Sequence, residues 1–156
     1  MKRDDLRGKR VLVRVDFNVP IKGSVVQDST RIKAALPTIK FLKKQGAKII
    51  LASHLGRPKG TVQKKFSLRP VAKELQRILK TKVTFTPHCI GPIVKKAIAK
   101  LGEGDVLLLE NLRFHKQEKT GAITFGKKLA SLADIFVNDA FSNSHRAHAS
   151  MIIPPK

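Results

Sequence analysis

The feature that most constrains this chain is a strict alternation of two patterns. Short Val- and Ile-rich runs recur at Val11–Val15, Ile49–Ala52, Val83–Phe85, Val106–Leu109 and Ile135–Val137. Each has the length of a strand buried on both faces. Between them lie segments with apolar residues at helical spacing. After Thr30, Ile32, Leu36, Ile39 and Leu42 share a face as far as Gly46, with a kink expected at Pro37. Ser67 is placed to cap a helix presenting Leu68, Val71, Leu75 and Ile78, with Pro70 tolerated in its first turn. A third helix runs from Pro92 to Gly102, and a fourth carries Phe125, Leu129 and Leu132. Strand and helix alternating in this way build parallel βαβ units, so the class is α/β: a three-layer α/β/α open parallel sheet, Rossmann-like, of five or six strands. The sixth strand would be Met151–Ile153.

The length of 156 residues fits one domain, 1–156, and leaves no room for a second of nucleotide-binding size. Apolar residues make up 42% of the chain, clustered between Gly, Pro and charged positions, which excludes a mainly disordered polymer. The longest apolar runs are strand-sized, and the opening MKRDDLRG has no apolar stretch after its charges, so neither a membrane nor export is expected. Cys89 is the single cysteine, which excludes an internal disulfide and a thiolate metal cluster and suits a reducing cytoplasm. His88 beside it lacks metal-ligand spacing or an acidic partner, and the pair is read as structural.

A formal charge of +21 attracts anions of every kind and so gives sign without identity. The lysines sit mostly on helical segments, among them Lys40, Lys43, Lys44, Lys73, Lys80, Lys95, Lys96, Lys100, Lys127 and Lys128, and read best as solvated faces. The arginines behave differently. Open parallel sheets bind ligands beyond the carboxyl ends of their strands. There the sequence places Asp16, Phe17 and Asn18; Ser53, His54, Leu55, Gly56 and Arg57; Glu110, Asn111 and Arg113; Asn138 and Asp139; and then Arg146. Arg31 opens the first helix on the same edge.

A guanidinium is a planar fork that matches phosphate or carboxylate oxygens in pairs, whereas an ammonium is a point charge. Arg31, Arg57, Arg113 and Arg146 on one rim therefore describe an anion site, and Asp16 and Asn18 suit a hydroxyl or hold an arginine in register. Taken singly, Arg57 and Arg113 read equally well as surface ion-pair residues, and His54 as a hydrogen-bonded structural histidine. Asp139 and Glu110 are read as partners that orient the arginines. No GxxxxGK loop followed by Ser or Thr is present, and the Gly102-Glu103-Gly104 stretch precedes a strand, so a nucleotide has no home among these motifs. Without Tyr or Trp there is no stacking platform for single-stranded nucleic acid.

The same loops carry a resemblance: VLVRVDFNVP at 11–20, DSTRI at 28–32, SHLGRPKG at 53–60, KFSLRPVAKEL at 65–75, LLLENLRFHKQE at 107–118 and KKLASLADIFVNDAFSNSHRAHAS at 127–150. In this order they resemble the amino-terminal, 3-phosphoglycerate-binding half of the phosphoglycerate kinase family. SerAsnSer at 142–144 and the ending MIIPPK are similar to archaeal members. The resemblance implies phosphoryl transfer between 1,3-bisphosphoglycerate and ADP, giving 3-phosphoglycerate and ATP, in glycolysis and gluconeogenesis. It implies that Asp16, Phe17 and Asn18 form one substrate loop and His54, Leu55, Gly56 and Arg57 another. Arg113 and Arg146 would grip the phosphate that is not transferred, aided by His54 and Arg57. Arg31 would reach the migrating group and act as the catalytic residue.

The family's carboxy-terminal half, with its nucleotide loops and magnesium-binding acid, has no counterpart here. The implied cofactors, Mg and ATP or ADP, thus belong to the full enzyme, and this chain is expected to bind none of them and to show little turnover alone. Two further readings follow from the charge and the length. One is a non-catalytic polyanion- or nucleic-acid-binding domain, and the other is one part of a two-chain enzyme.

Overall fold

The computed structural model describes residues 6–143 and 145–154. The opening segment 1–5, Ser144 and residues 155–156 lie outside it, and with them part of both stretches read as similar to archaeal members.

Seven strands are described: β1 (Arg10–Val15), β2 (Ile21–Lys22), β3 (Val25–Val26), β4 (Lys48–Ala52), β5 (Val83–Phe85), β6 (Val106–Leu108) and β7 (Ile135–Asp139). The helices are α1 (Thr30–Ala34), α2 (Leu36–Lys44), α3 (Arg69–Leu79), α4 (Pro92–Ala99), α5 (Lys116–Thr120), α6 (Ile123–Ala130) and α7 (Ala149–Ile152). Five strands form one sheet in the order β5-β6-β4-β1-β7, every pair parallel. The α/β expectation therefore holds, with the five apolar runs as its strands.

Each central strand is buried on both faces and feeds two cores. Val11, Val13, Val15, Ile49, Leu51, Val106 and Leu108 pack with Ile32, Ile39, Leu42, Val71 and Leu75, which come from α1, α2 and α3. The alternate residues Leu12, Ile50, Ala52 and Leu107 pack with Val94, Ile98, Phe125 and Leu129 from α4 and α6. The helix side follows from the path of the chain. Going outward from β1 through β4 to β5 the connections lie on one face, and returning through β6 to β7 they lie on the other, as right-handed crossovers require. The neighbours β4 and β6 thus send their outgoing loops to opposite faces, which opens a crevice at their carboxyl ends.

Three local expectations are corrected. Met151 and Ile152 belong to α7, not to a sixth strand. Their N–H groups bond back to the carbonyl of His148 at 2.9 and 3.2 Å, and periodicity alone cannot separate a three-residue apolar run in a strand from one in a helix. The helix expected from Thr30 to Gly46 is two, because Pro37 sits in the first turn of α2, where its missing N–H costs nothing. The hairpin β2–β3 around Gly23 and the single-turn α5 are too short to have shown a period. Ser67 lies one residue before the cap of α3 at Leu68, yet its Oγ still accepts from the N–H of Arg69 at 3.2 Å.

Candidate functional site

Beyond the carboxyl ends of the sheet lies a cleft of about 250 Å³ lined by Asp16, Asn18, Arg31, His54, Gly56, Arg57, Arg113 and Arg146, together with Ser142. Eight of the ten side chains or backbone positions expected from sequence meet there, including all four arginines. Phe17 and Leu55 do not line it. Their side chains are buried in the core, at 0% and 4% exposure, because the pleat that sends Asp16 and His54 outward turns the next residue inward.

Backbone and side-chain bonds lock these loops together. The N–H of Phe17 donates to Ser53 Oγ at 2.9 Å, and the N–H of Gly56 donates to Asn18 Oδ1 at 2.9 Å, so the loops after β1 and β4 are bonded to each other. Buried Asn111 accepts from the N–H of Leu55 and of Arg113 and donates to the carbonyls of Leu55 and Phe66 at 2.7 and 2.9 Å. Gly56 is required by its backbone. At φ +60° a side chain is strained, and a Cβ would meet the Phe66 ring at 2.4 Å.

Asp16 accepts from Arg31 Nη1 on both oxygens at 3.1 Å and from Ser142 Oγ at 2.6 Å. Burial alone would raise its carboxyl, but hydrogen bonds from Ser142 and from the N–H of Asn18, with the charge of Arg31, hold it below the ordinary range. It holds an arginine in register, as the sequence suggested. Glu110 does not. Its oxygens accept from Ser67 Oγ at 2.7 Å and from the N–H of Leu68 at 2.8 Å, so it secures the start of α3. Among the described residues Asp139 shows no bond to an arginine, and its buried Oδ2 has no hydrogen-bond partner.

Arg113 is the most telling member of the cleft. It is 5% exposed, its Nη1 donates to the carbonyl of Gly56 at 2.9 Å, and its Nε and Nη2 are buried with no partner among the described residues. Burial, then the nearby charges of Arg146 and Arg57, push its proton affinity down. A buried cation with two unsatisfied donors beside like charges is costly, on the order of 1–3 kcal/mol for each lost partner.

Sequence reasoning missed the layer beneath. Arg14, inside β1, is 1% exposed and donates to Ser150 Oγ at 3.0 Å, to the carbonyl of Val15, and toward His54 Nδ1 at 3.0 Å. Glu118, fully buried, accepts from the N–H of Ser150 at 3.0 Å and from its hydroxyl. His148 lies near Arg113, Arg146 and Arg14, and burial followed by those charges pushes it down to about 4. The signal for Arg14 was present: an arginine within a run that is apolar on both faces must find buried partners. Cys89 is in the core, with its thiol pushed up by burial, and His88 is exposed.

Larger clefts, of about 450 and 490 Å³, open at the opposite end of the molecule. They lack buried charge and depressed histidines, so chemistry rather than volume favours the rim.

The phosphoglycerate kinase family model matches residues 1–156. The chain belongs to the phosphoglycerate kinase family. A phosphoglycerate kinase of Dictyoglomus turgidum is 57% identical over 150 residues, covering 96% of this chain and 38% of that protein. The cytosolic phosphoglycerate kinase of Nicotiana tabacum is 55% identical over 151 residues, covering 96% of this chain and 37% of that protein. Two solved phosphoglycerate kinases share the fold. The one from Coxiella burnetii superposes with a TM-score of 0.83 at 41% identity over 94% of this chain and 36% of that one. The one from Pyrococcus horikoshii gives 0.85 at 32% identity over 95% and 38%. The chain thus spans somewhat over a third of its phosphoglycerate kinase relatives. Bacterial and plant members match it at 55–57% identity, so the archaeal resemblance drawn from SerAsnSer and MIIPPK is not supported. Six residues at a chain end and three in a loop are too few to outweigh identity spread over the whole length.

Proposed function

We propose that this chain is one folding unit, residues 1–156, that holds 3-phosphoglycerate or 1,3-bisphosphoglycerate for phosphoryl transfer within a phosphoglycerate kinase. The observation that carries this reading is buried Arg113, whose unpartnered Nε and Nη2 share a cleft with Arg31, Arg57 and Arg146. A phosphate would accept from such donors in pairs and neutralise the cluster.

Arg113 and Arg146, with Arg57 and His54, grip the phosphate that stays. Arg31, held by Asp16, reaches the migrating group and stabilises its charge in transfer. The acceptor is a carboxylate, ionised near neutral pH, so no general base is needed. Asn18 and Asp16 are placed for the hydroxyl, while Phe17 and Leu55 serve from the core by fixing the loops. ADP or ATP with magnesium would bind to a separate nucleotide-binding partner domain. The described residues contain no group of three His, Cys, Asp or Glu side chains to which magnesium could be assigned. The setting is cytoplasmic, as for the relative named cytosolic, and no helix is long and apolar enough to cross a membrane among the described residues.

Calorimetric titration with 3-phosphoglycerate tests this reading. Binding weakened at least tenfold in Arg113→Met and Arg146→Ala is expected, and equal binding by both variants and the parent overturns the assignment. Mixing with a separately produced nucleotide domain should restore ATP formation, and no gain over either part removes the two-chain reading.

A further inference from the structure

Lysines line the end of the molecule opposite the rim, beside Arg10 and Arg77, and that end has a geometry of its own. The four ion pairs among the described residues all use arginine: Arg7–Glu103, Arg10–Asp134, Arg31–Asp16 and Arg77–Glu74. No described lysine is neutralised in that way. Lys82 immediately precedes β5, and Lys48 opens β4, so both lie at the amino ends of the sheet, opposite the rim.

Three clefts adjoin there. One, of about 450 Å³, is lined by Lys82, Lys96, Lys100 and a single carboxylate, Asp105, over a floor that includes Ile93, Leu101 and Val106. A second, of about 490 Å³, carries Lys73 and Lys80 and shares Lys82 with the first. The third, of about 360 Å³, lies across α4 and carries Lys48 and Lys95. Acidic groups close to this track are already engaged. Asp105 accepts from the N–H of Gly102 at 2.8 Å, Asp134 is paired with Arg10, and Glu74 is paired with Arg77. Asp105 keeps its charge in the first cleft, where three lysines outnumber it, and apart from half-buried Lys48 the lysines of the three clefts are exposed.

We propose that this lysine-lined pole is a second binding surface, separate from the arginine rim, whose partner is the phosphodiester backbone of a nucleic-acid duplex. Ammonium groups spaced along a groove neutralise phosphates one by one and release counterions, with no demand for the planar forks that the rim supplies. No aromatic ring lines the three clefts, so unstacked bases have no platform and a paired duplex is favoured over a single strand. Binding is independent of sequence, because no side chain here is fixed for base-edge contact.

The test is fluorescence anisotropy with a labelled duplex DNA of arbitrary sequence, repeated at about 50 and 200 mM salt. Affinity should fall by on the order of 10³-fold between the two salts if about six phosphates are neutralised. The triple variant Lys82→Glu, Lys96→Glu, Lys100→Glu is compared with Lys40→Glu, Lys127→Glu, Lys128→Glu, which changes the net charge equally on other faces. The first set should weaken binding at least tenfold more than the second while leaving the calorimetric response to 3-phosphoglycerate in place. Equal weakening by both sets would show net charge alone at work and overturn the proposal. So would displacement of the duplex by millimolar 3-phosphoglycerate, tighter binding of a single strand of the same length, or binding of inorganic polyphosphate with none of the duplex.

Discussion

Nη2 of Arg14 lies 3.0 Å from Nδ1 of His54, with both side chains buried. A guanidinium can only donate, so Nδ1 is the acceptor and the imidazole proton resides on Nε2. Burial, then the charges of Arg14 and Arg113, push His54 down to about 3, which keeps the ring neutral at physiological pH. Arg14 thereby sets His54 as a neutral donor on the cleft wall, while its remaining donors reach Ser150 and the carbonyl of Val15.

Replacing Arg14 tests that layer. Arg14→Met keeps the bulk but removes one of the two buried cations that act on Glu118, the other being Arg113, and frees Ser150 and His54 from their donor. A loss of about 3 kcal/mol in urea unfolding is expected, since breaking a buried charged network strands the partner. A loss below about 1 kcal/mol would show that Arg14 is dispensable to the fold.

The depressed histidines make stability depend on pH in a defined direction. His54 and His148 sit at about 3 and about 4 in the folded protein, against about 6.5 for an unperturbed histidine. Below pH 6.5 the unfolded chain therefore binds more protons than the folded one, and stability falls with falling pH, by up to about 1.4 kcal/mol per unit for each group. Glu74 and Asp134, held at about 2 by Arg77 and Arg10, respond only at lower pH. Melting temperature should drop steadily from pH 7 to pH 5, and His54→Gln should flatten the slope. A flat profile in the parent would contradict the neutral assignment.

Arg113 separates binding from stability. Arg113→Met removes a buried cation with two unsatisfied donors beside Arg146 and Arg57 and loses only the bond to the carbonyl of Gly56. Without ligand, the variant should be as stable as the parent or more so, by about 0–2 kcal/mol in urea unfolding. Destabilisation beyond about 2 kcal/mol would show that Arg113 holds the fold and not an anion.

Gly56 has no room to change. Gly56→Ala places a methyl against Phe66 and strains a φ of +60°, in a loop whose N–H and C=O engage Asn18 and Arg113. A stability loss of about 1–3 kcal/mol together with a weaker 3-phosphoglycerate response is expected. Parent-like behaviour in both measurements would show that the loop can relax away from the ring.

Much of this was written in the sequence. The buried strands declared themselves as apolar runs, because a strand covered on both faces needs no polar alternation, and the positions after them marked Asp16, His54, Arg57 and Arg113. Four distant arginines could be assigned to one rim because parallel topology sends every strand end to the same edge. Tertiary structure decided what local pattern cannot carry. Whether Met151 lay in a strand or a helix turned on bonds to His148. Whether Glu110 served an arginine or the start of α3 turned on which partner stood within 3 Å. The buried Arg14 reaches Ser150, itself held by Glu118, across 136 residues of chain. Hydrophobic period is a local property and survives in one dimension. The partner of a buried charge is chosen by packing, and only the folded chain brings the candidates together.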